Sequence, residues 1–171
     1  MVSLIKPNER SALERAKRNP SLLPLLIQKI NGLQWFDAFE EEGLLKPENN
    51  PKPIQTEEGF FRIPSWNIVA YLVSSSELLK EDNDGYAERY MQLMRDTTQY
   101  AIQFDISNYR TWWQFSKILC NLPSQLVKLE DINLIQNWLN DRFDSDLLLD
   151  ELATWMLILC EKNSDHDKQL A

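Results

Sequence analysis

The chain has 171 residues, 43% of them apolar and six of them tryptophan, enough for one domain with a real core and too much for a wholly disordered chain. Its net charge of -8 is uneven: residues 1–30 hold six Lys or Arg against two Glu, a local +4 that leaves -12 on the rest. Such an acidic body excludes an extended phosphate-binding surface and docking on an anionic membrane, because both need clustered cations.

Residues 8–18 (NERSALERAKR) pattern as a short amphipathic helix bearing Arg10, Arg15, Lys17 and Arg18, so residues 1–19 form a basic N-terminal unit. This charge run reads first as a solvated helix face, and second as a patch for nucleic acid or a neighbouring acidic domain. Pro20 breaks the chain, and Ser21 is placed to cap a helix carrying Leu22, Leu25, Leu26 and Ile30, which Asn31 and Gly32 end. LQWFDAFEEEG follows, with Trp35, Phe36 and Phe39 on one side and Glu40, Glu41 and Glu42 ahead of Gly43. Three acids at a helix C-terminus oppose the macrodipole, and nothing in the sequence explains them.

Residues 43–64 form one long irregular segment, since Pro47, Pro51, Pro53 and Pro64 rule out a continuous helix. Leu44, Leu45, Ile54, Phe60, Phe61 and Ile63 are apolar, so the segment is expected to pack against the helices, with a short hairpin around Glu57 to Gly59.

Ser65 is placed to cap a helix with Trp66, Val69, Ala70, Leu72 and Val73 that runs to about Lys80, and a stripe from Tyr86 to about Phe104 marks a long helix. Another starts near Asn108, with Tyr109, Trp112, Phe115 or Ser116, Leu119 and Leu122 along one stripe, and Pro123 ends it. Residues 131–140 and 147–161 complete the pattern, the latter apolar almost all round, as suits a buried or covered helix. The tail 163–171 is polar. The expected caps Ser21, Ser65, Asn108 and Asp146 lie 44, 43 and 38 residues apart by subtraction, close to the period of about 40–47 residues of stacked helix pairs.

Candidate chemistry is sparse. The single histidine, His166, sits in the polar tail without neighbours to poise it, and the chain has no G-x-S-x-G, P-loop, HExxH or CxxC. Asp141, Asp144, Asp146 and Asp150 cluster in DRFDSDLLLDE, but the turn glycine of a calcium loop is missing, and capping of the next helix explains the acids better. Cys120 and Cys160 sit among apolar residues and read as small core thiols of a reducing compartment. No catalytic residue, metal site or cofactor is expected. In NYRTWW, at 108–113, the two tryptophans point about 100° apart on a helix, so one of them, with Tyr109 and Arg110, is a candidate groove lining. Arg62 and Trp66, at the junction of the long loop and its helix, make a similar pair. The binding candidates are therefore Arg62, Trp66, Tyr109, Arg110 and Trp113; the competing reading packs the aromatics inside and pairs Arg110 with an acid such as Asp105.

The stretch LQWF, then GLLKPENNPKPIQTEEGFFRIPSW, IVAYL and NYRTWWQFSKILCNLP resembles HEAT-like helical regions of large bacterial multidomain proteins of poorly assigned function. The resemblance covers roughly residues 20–140 and implies an N-terminal helical module attached to other activities. It carries over no catalytic residue.

The expected fold is all-α: a short HEAT-like α-solenoid of about seven helices with one long Pro-rich loop, the alternative being a closed helical bundle. One helical domain is expected over residues 1–162. The expected function is a non-enzymatic, cytoplasmic protein-interaction or scaffolding module that holds a protein segment or an adjoining domain, as the N-terminal part of a larger protein. Oligomerisation through the apolar C-terminal helix is a further expectation; the alternative function, disfavoured by the acidic body, is a nucleic-acid-associated helical module using the basic first helix.

Overall fold

The computed structural model describes residues 5–81 and 84–131, together with Asn133, Leu134 and Asn137. Its described elements are α1 (Pro7–Arg18), a 3₁₀ turn (Pro20–Leu22), α2 (Leu23–Lys29), α3 (Gln34–Glu41), a 3₁₀ turn (Pro47–Asn49), β1 (Ile54–Gln55), β2 (Phe61–Arg62), α4 (Asn67–Ser76), a 3₁₀ turn (Glu77–Glu81), α5 (Tyr86–Phe104), α6 (Tyr109–Leu119) and a 3₁₀ turn (Ser124–Leu126). The protein is mostly helical, and the one sheet among the described residues is the two-stranded ribbon of β1 and β2. No helix among the described residues is long and apolar enough to cross a membrane.

The first helix follows its sequence closely. Pro7 occupies the first turn, where its missing N–H costs nothing, and the Lys6 N–H donates to Glu9 Oε2 at 2.8 Å. Glu9 in the first turn and Arg15, Lys17 and Arg18 in the last complement the macrodipole. Helix α3 buries five consecutive residues, Trp35 to Phe39, and ends where Gly43 turns left-handed at φ 74°. There the Leu44 N–H reaches the Phe39 carbonyl and the Gly43 N–H the Glu40 carbonyl, each at 3.0 Å, a Schellman closure.

Helix α4 lies between α2 and α6, and α1 packs on α2. On the other side α3 meets α5: Phe36 stacks on Tyr90 with ring centroids 4.7 Å apart, while Phe39 meets Tyr71 of α4 edge-on at 5.0 Å. Asp37, 7% exposed, accepts from the Tyr86 hydroxyl and from Arg89 Nη1, each at 2.6 Å. The Trp112 indole, wholly buried, donates to Thr98 Oγ1 at 2.9 Å and joins α6 to α5. Arg95 forks onto Asp131 at 2.8 and 2.9 Å, tying α5 to the residues that follow Leu126.

These contacts also explain the acids that end α3. Glu40 pairs with Arg89 at 3.0 Å, Glu41 with Arg10 at 3.0 Å, and Glu42 with both Arg10 at 3.4 Å and Lys17 at 3.0 Å. Half of the basic run on α1 is thus answered by the chain's own carboxylates. The macrodipole penalty is offset by cations from two other helices.

Several expectations need correction. Ser65 lies one residue before Trp66, the residue at the cap position of α4, and the Ser21 hydroxyl turns to Asn19 Oδ1 at 2.7 Å. Asn108 holds the cap position of α6, but its side chain makes no cap bond. Helix α4 tightens into a 3₁₀ turn at Glu77, short of Lys80. Cys120 is exposed: α6 ends at Leu119, and residue 120 falls about 100° past the buried stripe. Leu129 to Asp131 are helical, so the helix expected over 131–140 begins slightly earlier. Most of that helix, the one expected over 147–161, the Asp146 cap, the cluster Asp141, Asp144 and Asp150, Cys160 and His166 lie outside the described residues.

Candidate functional site

The site is built on the long proline-rich segment. Its base packs as expected: Leu45 is 5% and Asn50 2% exposed, and the turn Pro47–Asn49 lies against α5. Its two ends are then gathered by one side chain. Asn108 Nδ2 donates to the carbonyls of Pro51 at 2.8 Å and Pro64 at 2.9 Å. The Thr111 hydroxyl, one turn along α6, donates to Asn50 Oδ1 at 2.7 Å. Prolines offer a carbonyl and no N–H, so a side-chain amide is a natural partner for them.

Beyond that staple the chain projects as a hairpin. Ile54 pairs with Arg62 and Gln55 with Phe61 in antiparallel register. The turn closes through Thr56 N–H to the Phe60 carbonyl at 2.7 Å and Gly59 N–H to the Thr56 carbonyl at 3.0 Å, with Gly59 at φ 86°. A left-handed residue at that point favours glycine strongly. Ile54, Phe60 and Phe61 are 46%, 70% and 71% exposed. The segment therefore packs at its base and presents its largest apolar side chains to solvent, which corrects the expectation that they face the helices.

Between the hairpin and the start of α6 lies a cleft of about 900 Å³. Phe61 and Arg62 line it from β2, with Phe60 and Ile63 on either side of that strand, Glu57 and Glu58 from the turn, and Arg110 from the first turn of α6. Two arginines singled out 48 residues apart by subtraction are thus brought to one cavity. Neither has an ion-pair partner among the described residues.

The other candidates divide. Tyr109 is half-buried beside Arg110. Trp66 is 6% exposed and belongs to the core, as does Trp112. Trp113 is half-buried, and the Lys117 ammonium sits over its ring at 4.2 Å in a cation–π contact. The tryptophan pair therefore splits as its 100° offset requires, with Trp112 inward and Trp113 outward. Phe60 and Phe61 were missed as site residues. Neighbouring residues on a strand point to opposite faces, so two consecutive phenylalanines could not both face the core, and that was the available signal.

Chemically the cleft offers two guanidinium forks, two aromatic faces and two carboxylates. Guanidinium forks take a carboxylate in bidentate geometry, and exposed rings take apolar side chains. Groups with perturbed acidity lie elsewhere: burial pushes Tyr71 well above its ordinary value, and burial, with the Asp37 carboxylate for Tyr86, pushes Tyr86 and Tyr90 up to about 12. No grouping of three or more His, Cys, Asp or Glu suited to a metal occurs among the described residues. Comparison with protein-family models, with curated proteins and with solved structures finds no match.

Proposed function

We propose that the chain is a non-enzymatic protein-interaction or scaffolding module, and that the hairpin cleft grips an extended segment of a partner protein or adjoining domain. The observation that carries this reading is the pairing of two solvent-facing phenylalanines with two arginines that have no ion-pair partner among the described residues. Exposed aromatics cost solubility, and aromatic and arginine side chains together are the residue types that dominate interface energetics. The favoured segment carries an apolar side chain for Phe60 and Phe61 and a carboxylate for Arg62 and Arg110.

The proposed architecture is a short HEAT-like solenoid. It is supported by α2, α4 and α6, which start at residues 23, 67 and 109, spacings of 44 and 42 by subtraction, and which lie side by side. The exposed free thiol of Cys120 suits a reducing, cytoplasmic setting. The nucleic-acid reading is weakened because Arg10 and Lys17 already pair with Glu41 and Glu42.

Capture from a native extract on immobilised protein tests the proposal when wild type is compared with Phe60→Ala/Phe61→Ala and with Arg62→Ala/Arg110→Ala. The expected result is a partner held by wild type and lost by both variants. Their thermal midpoints should stay close to wild type, because exposed substitutions change stability by roughly 0.5 kcal/mol or less. Partners retained equally by all three proteins would overturn it.

A further inference from the structure

A second surface lies on the far side of α4 from the cleft, where α1 packs on α2. Ala12, Arg15 and Ala16 share one face of α1, at i, i+3 and i+4. Leu22, Leu25, Leu26 and Lys29 follow the matching i, i+3, i+4, i+7 stripe through the 3₁₀ turn and α2. Between them runs a groove of about 250 Å³, below the roughly 300–1,000 Å³ of small-molecule sites. Leu22 is 37% and Leu25 54% exposed along it.

Charge selects the occupant. The cations of α1 divide by face: Arg10 and Lys17 turn to Glu41 and Glu42, whereas Arg15 turns to the groove and faces Lys29 across it. Neither Arg15 nor Lys29 has an ion-pair partner among the described residues. The only ionisable groups lining this groove are thus cationic, in a chain whose net charge is -8. An apolar floor with a purely basic rim is complementary to a helix that carries an apolar stripe between acidic flanks. Ala12 and Ala16 give the α1 wall a low profile, so the exposed apolar surface of the groove is that of Leu22 and Leu25. Pro20 and Pro24 hold the corner between the walls, so little ordering is needed on binding.

We propose that the α1–α2 groove docks an acidic amphipathic helix of a partner protein, independently of the hairpin cleft. The test uses a synthetic helical peptide with leucine at i, i+3, i+4 and i+7 and glutamate on the flanking positions, together with its lysine counterpart, by fluorescence anisotropy on the full chain. The glutamate peptide should bind at least about tenfold more tightly than the lysine peptide. Arg15→Glu/Lys29→Glu should reverse that preference, and Leu25→Ser should weaken the glutamate peptide by about tenfold, while Phe60→Ala/Phe61→Ala should leave it unchanged. Leu25, Arg15 and Lys29 are exposed, so these variants are expected to fold, and a thermal melt of each checks it. Equal binding of the two peptides, no binding at low salt, or indifference to Arg15→Glu/Lys29→Glu would overturn the proposal. So would a dimer in sedimentation that Leu25→Ser abolishes, because the face would then belong to a second copy.

Discussion

At the scale of single residues, two buried polar side chains, Asn108 and Asp37, each join parts of the chain more than 40 positions apart. Asn108 is wholly buried and satisfies two proline carbonyls with one amide. Replacing it with alanine strands both acceptors, and a loss of about 2 kcal/mol in urea unfolding is expected. Asp37 is the second. Asp37→Ala removes the acceptor for Tyr86 and Arg89 together and is expected to cost roughly 3 kcal/mol, whereas Glu42→Ala, which frees only surface cations, should cost less than about 1 kcal/mol. Equal losses for the two variants would mean that burial does not separate them. None of these partners was legible in the sequence. Asn108 reads locally as a helix cap, and its true partners lie 57 and 44 positions away.

The tyrosines extend the residue scale to pH. Tyr86 and Tyr90 are raised to about 12 by burial, against about 10 in an unfolded chain. A raised phenol holds its proton longer folded than unfolded, so the unfolded state binds fewer protons above pH 10. Their contribution is therefore fully present below about pH 10 and is lost as pH climbs through the folded values. A chemical-denaturation series should show stability falling steeply from about pH 10 upward, and Tyr90→Phe should flatten that fall. An unchanged slope in Tyr90→Phe would remove Tyr90 from the account.

At the scale of elements, periodicity was a good guide wherever a helix had one wet face. The long stripe from Tyr86 to Phe104 is the observed α5 end to end, and α1 departs from the expected span by one residue. Stripes fail at helix ends, where geometry and not polarity decides. Cys120 follows apolar neighbours in KILCNL yet falls outside the last turn of α6. Capping was the weakest guide, because no residue at the cap position of α1 to α6 makes a cap bond with its own side chain; at α1 the Glu9 carboxylate accepts from the Lys6 N–H instead. Packing against neighbours and proline in the first turn set those starts instead. The hairpin was legible from its glycine and prolines, but its outward aromatics were not, because apolar residues in a loop look like core until the backbone's direction is known.

At the scale of the whole molecule, the three acids that end α3 gather cations from α1 and α5, tying α3 to α1 and reinforcing the aromatic contact between α3 and α5. The uneven charge read from composition thus has a structural use: part of the basic surplus of residues 1–30 is absorbed by the acidic body. Among the cations without an ion-pair partner in the described residues, Arg62 and Arg110 line the hairpin cleft and Arg15 and Lys29 line the α1–α2 groove. Their separation by α4 allows both to be occupied at once, the geometry a scaffold requires.

The amide staple at Asn108 has one more implication. Because Asn108 holds both feet of the ribbon, residues 52–63 leave and rejoin the body at one point at the start of α6. Changes of length or sequence in the exposed turn between Thr56 and Phe60 are therefore expected to leave the thermal midpoint close to wild type, whereas Asn108→Ala is expected to lower it.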